Sequence, residues 1–191
     1  MPAGDPHLLW ITSRAAGTAA IVCSSASVGL GVMIGGRLVP PGRGRATTLR
    51  TAHETLALAA LVALILHAAT LLLDTWLKPG LTGILVPFTM SYRPFFTGLG
   101  ILAGYALIVL GLSAYARGIL GERWKRIHRL TAVAWLLGVV HVIGSGTDVT
   151  RPWYAALLTL CVLPVLVLIF IRVRTARPEL FTMETLKQEA R

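Results

Sequence analysis

Five separate runs of about twenty residues, nearly free of Lys, Arg, Asp and Glu, decide most of what this chain can fold into. About twenty helical residues cross the hydrocarbon of a bilayer. A backbone in lipid must satisfy its own hydrogen bonds, which a helix does within one segment. The runs cover about 15–36, 51–73, 95–116, 127–146 and 152–171. Only 14% of the residues are charged and 55% are hydrophobic, whereas a soluble domain carries about 25% charged residues. The expected fold is therefore an all-α membrane protein, a five-helix transmembrane bundle. The first run is rich in Gly, Ala and Ser, which suits close packing against other helices. Pro152 opens the fifth run comfortably, and Pro164 is expected to kink it. Residues 77–91 are apolar but too short and too broken by Pro and Gly to span, so they should lie along the outer surface or fold back over the bundle. The segment 1–11 lacks a basic n-region and a small-residue cleavage site, so the first run is read as a retained span.

A net charge of +10 would suggest nucleic acid in a soluble protein. Here the cations sit in short loops without interleaved aromatics, so no nucleic-acid partner is expected and the lipid bilayer takes that place. Arg37, Arg43, Arg45 and Arg50 lie between runs one and two, and Arg117, Arg123, Lys125 and Arg126 between runs three and four, with Arg129 just beyond. Arg172, Arg174 and Arg177 follow run five. The other two loops hold only Lys78 and Arg93 against Asp74, and Arg151 against Asp148. The positive-inside rule then predicts an outer N-terminal tail (1–14), a domain over 15–174 and a short cytoplasmic tail (175–191), in the cell (inner, cytoplasmic) membrane. Trp10, Trp76 and Trp153 fall on the outer side and Trp124 on the inner, as interface anchors do. Cys23 and Cys161 lie inside apolar runs and read as small hydrophobes rather than a disulfide.

Four of the five histidines lie in the spans: His53 and His67 on the second, His128 and His141 on the fourth; His7 is in the outer tail. Ionisable groups in spans are costly and usually functional, and imidazole is a common axial ligand of heme iron. The first pair is 14 residues apart, about 21 Å of rise and about 40° short of whole turns, so both face one side of the helix. The second pair is 13 apart, about 20 Å of rise. Spans two and four run the same way, which brings His53 level with His128 and His67 level with His141. The flanks repeat: Arg50 and Lys125 each precede a histidine by three residues, and Asp74 and Asp148 each follow one by seven. Two helices offering imidazoles at two matched depths can clamp two hemes stacked across the bilayer. Thirteen α-helical residues nevertheless leave ring directions about 140° apart. Span four must be tightened locally, with Gly138 a place for it, or its histidines must use different rotamers.

A lone intramembrane histidine often only hydrogen-bonds a neighbouring helix. Zinc is disfavoured because about 20 Å separates the levels and no Cys, Asp or Glu joins the histidines. Two heme b groups are the expected cofactor. Arg50, Arg126 and Arg129 are inner candidates for their propionates, and Arg14, Arg93 and Arg151 outer ones, although each also serves topology. Tyr92-Arg93-Pro94, at the outer mouth, is the expected docking place for an acceptor.

Together His53-x13-His67, the run Trp124-Lys125-Arg126-Ile127-His128-Arg129-Leu130 and His128-x12-His141 resemble the ferric reductase-like transmembrane domain superfamily. That group includes ferric reductases, the membrane portion of NADPH oxidases and the heme-binding membrane subunit of the bacterial periplasmic methionine sulfoxide reductase system. Ser13-Arg14-Ala15-Ala16-Gly17, Tyr92-Arg93-Pro94 and Gly146-Thr147-Asp148 look like its short bacterial members. The resemblance implies bis-histidine hemes, with His53 and His128 on the inner one and His67 and His141 on the outer, and electron flow from the cytoplasmic to the outer face. A C-terminal flavin and nicotinamide-nucleotide domain and a span ahead of the first are expected to be lacking, so a separate flavin reductase or quinol would supply electrons. The expected function is a diheme electron conduit to an outer acceptor: ferric iron, dioxygen or a periplasmic redox protein. Its rivals are an anchor subunit dedicated to one periplasmic reductase, a small proton-coupled transporter using the histidines, and an inert scaffold.

Overall fold

The computed structural model describes residues 7–38, 42 and 44–175, and among them the regular secondary structure is all helical, with no strand. Its elements are α1 (Leu8–Gly35), α2 (Arg45–Leu72), α3 (Gly80–Leu85), α4 (Pro94–Leu112), α5 (Arg117–Leu120), α6 (Glu122–His128), α7 (Thr131–Ser145) and α8 (Pro152–Thr175). Five stretches are long and apolar enough to cross a membrane, α6 and α7 forming one of them over Glu122–Ser145. The chain is thus a multi-pass membrane protein. Arg43 and Arg177 lie outside the described residues.

Helix bounds depart from the apolar runs at several ends. α1 begins at Leu8, so Ser13 and Arg14 are helical rather than part of a tail, and α2 begins at Arg45, so Arg50 is helical too. Hydropathy marks what suits hydrocarbon, whereas intrahelical hydrogen bonding continues for a turn or more into polar residues. The third span stops earlier, at Leu112, where Ser113 to Ala116 pass into tight turns bonded three residues back. α8 runs without interruption through Pro164.

Two antiparallel pairs, α1 with α2 and α4 with α7, make the most extensive contacts. α8 packs on α1, and α1 also touches α7, while α2 and α4 meet only sparsely. The apolar core sits on the α1–α7–α8 side, where Ile21, Trp135, Val139, Tyr154, Leu158 and Val165 are buried together. The Trp135 indole is 1% exposed and donates to Ser25 Oγ at 3.0 Å, which satisfies its one polar atom in that core. Apolar packing therefore accumulates on one side of the molecule, and the space between the two pairs stays open.

The segment after α2 folds back over the bundle. Asp74 is buried and its Oδ1 accepts from the backbone N–H groups of Trp76 and Leu77, both at 2.8 Å, which turns the chain out of α2. α3 and its flank bury Gly83 and Met90, and Tyr105 of α4 donates to the Leu85 carbonyl at 2.6 Å.

Candidate functional site

A cavity of about 2000 Å³ runs between the two helix pairs, and all four intramembrane histidines line it. Pockets for one drug-sized ligand span roughly 300–1,000 Å³, so this space exceeds what a single such molecule fills.

Each imidazole has its Nδ1 against a backbone carbonyl of the neighbouring antiparallel helix. His53 Nδ1 lies 2.8 Å from Ser27 O, and His67 Nδ1 lies 2.8 Å from Ser13 O. On the other pair, His141 Nδ1 lies 2.9 Å from Phe96 O and His128 Nδ1 lies 3.3 Å from Leu110 O. A carbonyl oxygen can only accept, so Nδ1 carries the ring proton and Nε2 keeps its lone pair. None of the four Nε2 atoms makes a hydrogen bond among the described residues. Metal-binding histidines are characteristically oriented by such a bond from the other ring nitrogen.

The anchoring carbonyls carry a spacing of their own. Ser13 and Ser27 are 14 apart on α1, as are Phe96 and Leu110 on α4, matching His53 and His67 across the first pair. Glycines admit the rings: a Cβ on Gly17 would meet His67 Nδ1 at 3.1 Å, one on Gly31 would meet His53 Cε1 at 3.1 Å, and one on Gly100 would meet His141 Nδ1 at 2.4 Å.

Span four is tightened, but at Arg129–Leu130 rather than at Gly138, which lies within uninterrupted α7. Leu130 N–H bonds Ile127 O at 3.0 Å and Ala132 N–H bonds Arg129 O at 3.2 Å, both three residues back, before the four-residue pattern resumes with Ala134 N–H on Leu130 O. Winding at three residues per turn adds about 20° per residue over the α-helix, so about five such residues make 13 turn as far as 14. The bonds at Leu130 and Ala132 supply part of the extra rotation that the 13-residue spacing needs, at the place where α6 gives way to α7.

The two levels are brought together. The His53 and His128 rings stand 6.2 Å apart between centroids with their planes at 88°. Two imidazoles on opposite sides of one metal ion, each bound through a nitrogen about 2 Å away, have centroids about 6 Å apart. His67 and His141 line the same cavity at the other depth. Among the described residues no three His, Cys, Asp or Glu side chains converge on one point. The histidines therefore come as two-ligand levels, which is what a planar macrocycle with two open axial positions requires. The residues fit heme.

The cations divide. Arg50, Arg129 and Arg14 line the cavity, whereas Arg126, Arg93 and Arg151 do not. Arg14 is also ion-paired to Asp148, with Nε at 3.0 Å from Oδ2, so its charge is already partly matched. Arg93 donates through Nη1 to Gly144 O, and Tyr92 donates to Ser145 O at 3.3 Å. These are carbonyls that the end of α7 leaves without intrahelical partners, so the Tyr92-Arg93 pair secures that helix end and the Arg93 guanidinium turns away from the cavity. Arg126 and Arg151 are exposed. Arg37, Arg117, Lys125 and Arg172, read from sequence only for orientation, also border the cavity.

Several contributors were not legible as such. Trp124 stacks on His128, with centroids 4.9 Å apart and planes at 22°, and its Nε1–H is buried without a partner at the cavity wall. Ser145, four residues beyond His141, has a buried unpartnered hydroxyl on the same wall. Both are free to donate to a polar group of a bound molecule. The signal that exposes Ser13 and Ser27 is a repeat: Ser13-x3-Gly17 recurs as Ser27-x3-Gly31 at the 14-residue interval of the histidines.

Compared with known families, residues 16–139 match the ferric reductase like transmembrane component, more than half of the chain; His53, His67 and His128 fall inside the match and His141 two residues beyond it. No curated relative and no solved structure matches the chain.

Proposed function

Because the chain belongs to the ferric reductase like transmembrane component family, we propose that it is a diheme b-type electron conduit across the cell membrane. The carrying observation is the set of four imidazoles on one cavity, each with Nδ1 engaged by a carbonyl and Nε2 left with its lone pair. His53 with His128 would hold the inner heme and His67 with His141 the outer. Heme bound at each level supplies a reversible one-electron carrier whose potential the protein tunes through burial and hydrogen bonding.

The chain's own residues then have definite tasks. The carbonyls of α1 and α4 fix the tautomer and aim of the ligands. The cavity walls exclude water from the space between levels. Arg50 and Arg129, with the Trp124 indole, would hold propionates at the inner level, and Arg14 with the Ser145 hydroxyl would do so at the outer. A flavin reductase or quinol donates on the cytoplasmic side, and ferric iron, dioxygen or a periplasmic redox protein accepts outside.

Optical spectra of the detergent-purified protein, oxidised and dithionite-reduced, with a pyridine hemochrome count, test this. Two low-spin b hemes per chain are expected. His67→Ala or His141→Ala should each bring the count to one. Wild-type protein that is colourless and takes up no heme on reconstitution would sink the proposal, and unchanged content in both variants would sink the ligand assignment.

A further inference from the structure

The two histidines of α2 are held differently from His128 of α6 and His141 of α7. Where Leu110 and Phe96 offer only a carbonyl, Ser27 and Ser13 each offer a carbonyl and a hydroxyl. Ser27 Oγ lies 3.1 Å from His53 Nδ1 and also donates to His53 O at 3.1 Å. Ser13 Oγ lies 3.0 Å from His67 Nδ1 and donates to His67 O at 3.2 Å. With its proton committed to the histidine's own carbonyl, each hydroxyl turns a lone pair to the Nδ1–H, which is shared between Oγ and the serine carbonyl. Both serines are buried, Ser13 at 2% and Ser27 at 4% exposure.

Several other helical hydroxyls among the described residues donate to carbonyls of their own helix. Thr18, Thr70 and Thr159 return theirs to the carbonyl four residues back on their own helix, the ordinary outlet for a hydroxyl within a helix. Ser13 and Ser27 send theirs across to the next helix, at the two histidines and at the same 14-residue interval.

Resting on the diheme reading, we propose that Ser13 and Ser27 are positioning residues that lower the reduction potentials of the two hemes separately, Ser27 at the His53–His128 level and Ser13 at the His67–His141 level. Accepting a hydrogen bond from Nδ1–H makes the imidazole a more basic ligand. A more basic axial ligand favours the ferric state. Each level thus pairs one strongly polarised ligand from α2 with one weaker ligand, His128 of α6 or His141 of α7, and α1 sets each step of the electron path.

Potentiometric titration of the purified holoprotein tests this with S13A, S27A, S13T and S27T. Each alanine variant should keep two hemes and raise the potential of one, S27A and S13A moving different hemes, while the threonine variants, which retain the hydroxyl, return toward wild type. If an alanine variant sheds its heme, the cysteine variant at that position, close in shape but a weaker acceptor, is titrated instead and the same upward shift is required. Two hemes in the wild type with unmoved potentials, shifts of one common heme, or equal shifts for Ala and Thr overturn this inference alone. A wild type that binds no heme overturns the diheme reading and this inference together.

Discussion

At the scale of single residues, the site depends on places where a side chain is absent. Gly100 is the sharpest case, since any Cβ there would lie 2.4 Å from His141 Nδ1 and 2.6 Å from its Cγ. The ring can swing aside, but doing so gives up its bond to Phe96 O and its aim into the cavity. Gly104 faces only Leu64 methyl carbons at 3.7 Å or more, ordinary packing distance. Gly100→Ala should therefore lower the hemochrome count from two to one while Gly104→Ala leaves it at two. Equal counts in these variants would contradict the role given to Gly100. The same reasoning explains why the histidines were readable from sequence and their holders were not. An ionisable group inside an apolar run is conspicuous by type, whereas serine and glycine on a helix rich in both are distinguished only by what they face.

At the scale of elements, the α6–α7 junction carries the most information. A span read as one helix is two, and the tight turn between them supplies part of the rotation that two histidines 13 residues apart need to share the arc of a pair 14 apart. One alanine inserted between Arg129 and Leu130 adds about 100° of rotation and about 1.5 Å of rise, which turns His128 away from His53 while leaving α7 and His141 in place. The insertion should remove one heme and spare the other, and adding His53→Ala to it should remove nothing more. An alanine inserted after Gly118, whose surroundings are open and which does not border the cavity, should leave two. Retention of two hemes by the 129–130 insertion would show that pitch at the junction does not govern ligand register.

At the scale of the whole molecule, two antiparallel pairs enclose the cavity, and α8 reinforces one side. The cations are distributed unevenly along its axis: Arg37, Arg50, Arg117, Lys125, Arg129 and Arg172 border the cavity at the His53–His128 end, where Arg14 alone does so at the other. By the positive-inside rule such a bias would hold the basic end on the cytoplasmic side, where it would attract acidic headgroups. A fluorescent protein fused after Arg191 should fluoresce, and alkaline phosphatase fused at Thr150, between α7 and α8, should be active. The reverse pattern would invert the orientation and exchange the inner and outer assignments of the histidine pairs.

What the sequence determined by itself is whatever depends on position along a single helix. Hydropathy marked five spans because transfer into lipid is nearly additive residue by residue, and the intervals His53–His67 and His128–His141 marked two depths because rise per residue is constant. Tertiary structure alone decided what depends on the rotation of one helix against another. It assigned Ser13 and Ser27 to the α2 histidines, Leu110 to His128 of α6, Phe96 to His141 of α7, and Arg93 to the end of α7 rather than to the cavity. Those pairings rest on side-chain direction across an interface, and a linear pattern does not carry the angle between two helices. The change of pitch at Arg129–Leu130 is of the same kind: no residue there is a glycine or a proline, and only the backbone hydrogen bonds of the folded chain reveal the turn.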